Sequence, residues 1–117
     1  MKVTCPTTSP FDTRIPILVI DPRDRPSRFD SSHAFALFGQ GVEVPLIVVD
    51  ARILQAEWMT EDHLLVILAH ETGHIQKQST EEREADERGL QLVKNAGYEA
   101  AYRIYQAEYE SRYQNVA

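Results

Sequence analysis

Apolar positions along this chain fall into two unlike rhythms. In the first half they come as dense β-branched runs broken by prolines and glycines, and after Thr60 they recur every three or four residues. The first rhythm suits strands and the second suits helices. Arg14–Asp21 (RIPILVID) predicts a strand, with Pro16 near its start, where a missing donor is tolerated. Asp21-Pro22 ends it, and 22–32, with three arginines, two aspartates and two prolines, reads as a solvated loop. His33–Phe38 is a short apolar piece closed by the turn signal Gly39-Gln40-Gly41. Val42–Asp50 (VEVPLIVVD) predicts a second strand, part of which Pro45 should place at an edge or bulge.

Thr60 can cap a helix whose first turn carries Glu61 and Asp62, both favourable at the positive end of the helix dipole. The helix runs through Leu64, Leu65, Ile67 and Leu68 to a pair of histidines and frays near Lys77. A second helix starts at Ser79 or Thr80 and stops at Ala96-Gly97. A third spans Tyr98 to about Asn115, with Tyr98, Tyr102, Tyr105, Tyr109 and Tyr113 on a helical spacing that reads as packing. Residues 1–13, rich in Thr, Pro and Ser, are expected as a loose arm ahead of one domain over 14–117. Two or three strands followed by three helices make an α+β domain.

Composition narrows the function classes. A chain of 117 residues with 12 basic against 18 acidic side chains, net −6 and without a basic cluster, is a poor nucleic-acid binder. The longest apolar run, Leu64–Ala69, is far short of the roughly twenty residues a bilayer demands, so no membrane partner is expected. The start shows no signal-peptide pattern, and Cys5 is the single cysteine, which together suggest a cytoplasmic protein.

The chemistry concentrates in His70-Glu71-Thr72-Gly73-His74. Residues four apart share a helical face, so both imidazoles can reach one metal ion, and Glu71 falls beside that ion as a candidate general base. A catalytic zinc site wants a third protein ligand and an open position. Glu82 is the candidate, and Asp86, one turn on, can accept the N–H of a ligating histidine. Ser79-x-x-Glu82 is also a capping-box pattern, so Glu82 has a purely structural alternative. His63 shares a face with His70 but stands about 10 Å back along the axis, too far to share an ion. His33 reads as a surface residue.

Ser32-His33-Ala34-Phe35-Ala36-Leu37, the glycine turn and strand, Leu68-Ala69-His70-Glu71, and Glu82-Arg83-Glu84-Ala85-Asp86 with Gly89-Leu90 resemble, in that order, the M48 family of gluzincin metallopeptidases. The resemblance spans roughly His33 to Tyr98 and is nearest to the small soluble minigluzincins. It implies a zincin-like fold, one zinc held by His70, His74 and Glu82, and Glu71 as general base in an endopeptidase acting on peptide or protein substrates. His33 stands where the family carries asparagine, and only seven residues separate His74 from Glu82.

In this reading a substrate would pair with strand Val42–Asp50, at Leu46, Ile47 and Val48. The alternative is a peptidase-like module that binds a peptide or protein without turnover. A deformylase reading fails on Cys5, whose Thr-Cys-Pro setting is not that class's ligand context. Cys5 could instead plug the metal as a latency switch.

Overall fold

The computed structural model describes residues 3–21 and 33–113. The loop expected over 22–32 and the last residues of the expected third helix lie outside that range. The elements are β1 (Thr8–Ser9), β2 (Asp12–Ile20), β3 (Ala34–Leu37), β4 (Leu46–Asp50), a 3-10 turn (Ala51–Gln55), α1 (Glu61–Lys77), α2 (Glu82–Asn95) and α3 (Glu99–Tyr113). This is an α+β domain with a four-stranded sheet in the order β1-β2-β4-β3.

β2 and β4 pair in parallel, Ile17 opposite Ile47 and Val19 opposite Val49, while β3 runs antiparallel to β4 with Phe35 opposite Val48. The expectation of an edge in Val42–Asp50 is therefore corrected. Pro45 sits just ahead of the strand, so its missing donor is spent outside the ladder, and Leu46–Asp50 is flanked on both sides. Ile47 and Val49 are fully buried and Val48 nearly so. The continuous run Leu46-Ile47-Val48-Val49 is what a strand covered on both faces needs.

The stretch expected as a loose arm is drawn into the sheet. Thr8 pairs with Pro16 and Ser9 with Asp12, and Asp12 and Thr13 open β2. Ser9 is fully buried, its Oγ 2.7 Å from Thr72 Oγ1 of α1, and it also accepts the Phe11 N–H. That buried hydroxyl pair fastens the first hairpin to the back of the histidine helix.

α1 begins as its cap predicts, with Thr60 Oγ1 accepting the His63 N–H. One face packs on the sheet through Leu64, Leu68 and Ile75 against Ile15, Ile47 and Val49. The other, through Val66 and Ala69, meets Val93, Ala101 and Tyr105 of α2 and α3. α1 is thus the central layer, buried almost continuously from Leu68 to Ile75. α2 stops at Asn95 and Gly97 takes φ +81°, as the Ala96-Gly97 signal suggests. Among the described residues no helix is long and apolar enough to cross a membrane.

Candidate metal centre

Seventeen residues of α1 bring His70 and His74 onto one face, with their ring centroids 4.7 Å apart and the rings nearly perpendicular. The Nε2 atoms lie 3.1 Å from one another. Glu82, the first residue of α2, completes a triangle: its Oε2 is 3.0 Å from His70 Nε2 and its Oε1 is 3.0 Å from His74 Nε2. The capping alternative for Glu82 does not hold, because α2 has no side-chain cap and Ser79 Oγ accepts the Glu81 N–H instead.

Each ring is held by its other nitrogen. His70 Nδ1 is 2.7 Å from Asp86 Oδ1, and His74 Nδ1 is 2.7 Å from the Ser79 carbonyl. Both partners can only accept, so both rings carry their proton on Nδ1 in the neutral form, and both Nε2 atoms present bare lone pairs. Two lone pairs and a carboxylate then face one another without a hydrogen between them. In that form the convergence favours a positive charge among the three groups, carried by a metal ion or by a proton.

The dimensions suit one. Around a tetrahedral ion with bonds of about 2.0–2.1 Å, neighbouring donors stand about 3.3–3.4 Å apart, slightly wider than the spacings here. His70, His74 and Glu82 are therefore a group that could hold a metal ion. The His70 pKa is raised: burial pulls it down, but the Asp86 hydrogen bond and the charges of Glu71, Asp86 and Glu82 outweigh that. Protons and metal would compete for this position.

Asp86 is 1 % exposed and receives more than His70. Tyr105 OH donates to Oδ1 at 2.9 Å, while Arg112 Nη1 and Tyr113 OH donate to Oδ2 at 2.8 and 2.7 Å. Burial alone would raise its pKa, yet these donors and His70 hold it at about 2. Glu71 is treated oppositely. Burial, with the charges of Glu82 and Asp86, pushes it up to about 7 against the pull of His70.

Two glycines allow the helices to meet here. A Cβ on Gly73 would run into the Ala85 carbonyl, so α1 and α2 touch backbone to backbone. A Cβ on Gly89 would stand 2.5 Å from Tyr105 OH, so its absence gives that hydroxyl its path to Asp86.

Glu71 lines two open cavities that meet at His70 and Glu82. One, about 370 Å³, is bounded by Val66, Ile67, Tyr105, Glu108 and Arg112. The other, about 310 Å³, is bounded by Phe35, Ala36, Phe38, His74 and Thr80. Ala34 of β3 borders both, so β3 walls the cleft. Leu46, Ile47 and Val48 line neither, and β4's place inside the sheet displaces them from substrate pairing. Cys5 also lies away from the cleft, packed against the sheet-side core, where burial pushes its thiol pKa up.

His70, Glu71, His74, Glu82 and Asp86 are thus brought together as the sequence suggests. Missing from that reading were the Ser79 carbonyl, Tyr105, Arg112, Tyr113 and the strand Ala34–Leu37. The short apolar piece His33–Phe38 between a loop and a glycine turn is the one signal for the last of these. No family model, curated protein or solved structure matches this chain.

Proposed function

We propose that the protein is a zinc-dependent endopeptidase of the M48-like gluzincin type. The observation that carries this is the convergence of the His70 and His74 Nε2 atoms and the Glu82 carboxylate beside Glu71, at the floor of an open cleft. The order of sheet, histidine helix, tight turn and glutamate helix supports a zincin-like reading of this α+β domain. His70, His74 and Glu82 would hold the ion, and Glu82, with 66 % of its side chain exposed, leaves the solvent side of the site open. A zinc ion bound there would acidify water to a pKa of about 7 and polarise a carbonyl.

The chain's own residues would do the rest. Glu71 would take the proton of the attacking water and return it to the departing amine. Among the described residues β3 is the last strand of the sheet on the cleft side, so a substrate would lie in extended form along the cleft that Ala34–Leu37 walls. The two cavities share Ala34, His70, Glu71 and Glu82, so together they leave room for a polypeptide to extend past the site, which favours cleavage of internal bonds.

Elemental analysis of the purified protein, paired with casein cleavage with and without chelator, tests the reading. One zinc per chain and chelator-sensitive cleavage are expected. Glu71→Gln should keep the zinc and lose cleavage by about 10²-fold or more. Full zinc with no cleavage would overturn the peptidase reading in favour of a binding module, and an active Glu71→Gln would overturn the assignment of the base.

A further inference from the structure

Helix α3 contributes no metal ligand, yet three of its side chains end on the carboxylate that orients one. Tyr105 and Tyr113 are eight residues apart and Arg112 adjoins the second, so all can reach one side of α2. Tyr109, between the two tyrosines, donates to Glu87 Oε2 at 2.8 Å instead. The expected packing stripe is, over this half of the helix, a row of phenol hydroxyls directed at acids of α2.

An ionised carboxylate has about four good acceptor positions. Asp86 has all of them taken: His70 and Tyr105 on Oδ1, Arg112 and Tyr113 on Oδ2. With His70 alone as partner, the carboxylate could turn about its last torsion and carry the ring with it. With donors on both oxygens it has one orientation, and so has the imidazole. The Arg83 and Arg112 guanidinium groups stand 5.3 and 5.9 Å from the centre of the Tyr113 ring. Tyr105 is 2 % exposed and reaches Asp86 only because residue 89 is glycine.

We infer that Tyr105, Arg112 and Tyr113 are positioning residues that set the metal affinity of the site by fixing Asp86 and, through it, His70. This rests on the metal reading above. The donors on Asp86 also draw charge from it and so weaken its pull on the His70 proton, which by itself would lower ligand basicity. Orientation is the larger effect: loss of a partner behind a ligating histidine typically costs about 10–100-fold in metal affinity.

The test compares three identical chemical changes on one helix. Zinc affinity is measured by competition with a chromophoric chelator for Tyr105→Phe, Tyr113→Phe and Tyr109→Phe. The first two should each weaken binding by about tenfold, and the third should stay within about twofold of the parent. In the metal-free protein, the His70 Nδ1–H resonance should move in Tyr113→Phe and stay in place in Tyr109→Phe. Tyr113 is only half-buried, so its variant keeps the test alive should Tyr105→Phe not fold. Equal affinities across all three variants, or an equal loss in Tyr109→Phe, would overturn the inference by showing that helix docking, not the hydroxyls on Asp86, is what matters. A parent that takes up no zinc would overturn the metal reading instead, and the resonance comparison would still decide whether α3 orients His70.

Discussion

The two candidate imidazole ligands are held by opposite means. His74 is fixed by main chain: its Nδ1–H donates to the Ser79 carbonyl, and the Ser79 N–H donates back to the His74 carbonyl at 3.1 Å. Gln78 turns the chain there with φ +50°, unusual outside glycine. His70 is fixed by side chains, through a buried carboxylate that collects donors from α1 and α3. A backbone clamp tolerates almost any side chain but depends on the path of the turn. A side-chain hub tolerates the path but depends on each member. Side-chain changes should therefore fall hard on the His70 half and lightly on the His74 half.

The largest effect should come from Asp86→Ala. It strips the acceptor from two tyrosines, an arginine and His70, and should cost about 3–5 kcal/mol in a denaturant titration, as breaking a buried ionic cluster does. Zinc affinity should fall with it. A loss below about 1 kcal/mol, the scale of an exposed pair, would mean the hub is peripheral. Gly73→Ala comes next. It forces α1 and α2 apart where they touch, beneath both histidines, and overpacking of this kind costs about 1–3 kcal/mol. An unchanged midpoint would show that the helices can separate freely. Ser79→Ala should be the mildest. It removes only a hydroxyl that accepts from Glu81 and leaves the carbonyl used by His74, so about 1 kcal/mol or less is expected. A clear loss of zinc affinity in this variant would break the contrast.

Local chemistry made the helices readable. Thr60 with Glu61 and Asp62, the i, i+4 histidines, and Ala96-Gly97 each act within a turn of where they stand. Glu82 and Asp86 were readable for the same reason, being four apart. Strand order was not, because nothing in Leu46–Asp50 names β2 and β3 as its neighbours. Pro45 lies one position outside the ladder, so its missing donor carries no information about where the strand sits in the sheet. Arg112 lies 26 residues from Asp86, beyond the reach of any periodicity, and only packing brings the two together. The tyrosines were visible as a stripe, but a hydroxyl's partner depends on which helix comes to lie opposite.

The reciprocal Ser79–His74 bonds turn chain length into part of the chemistry. One residue added or removed between Gln78 and Glu82 would slide the carbonyl past the imidazole and rotate the glutamate away, with every functional side chain still present. The interval looks like an ordinary surface connection of Gln, Ser, Thr and Glu, yet insertions and deletions should be rejected there. The Gly39–Pro45 segment, which carries neither a ligand nor a ligand's partner, is where grafts and tags should be accepted.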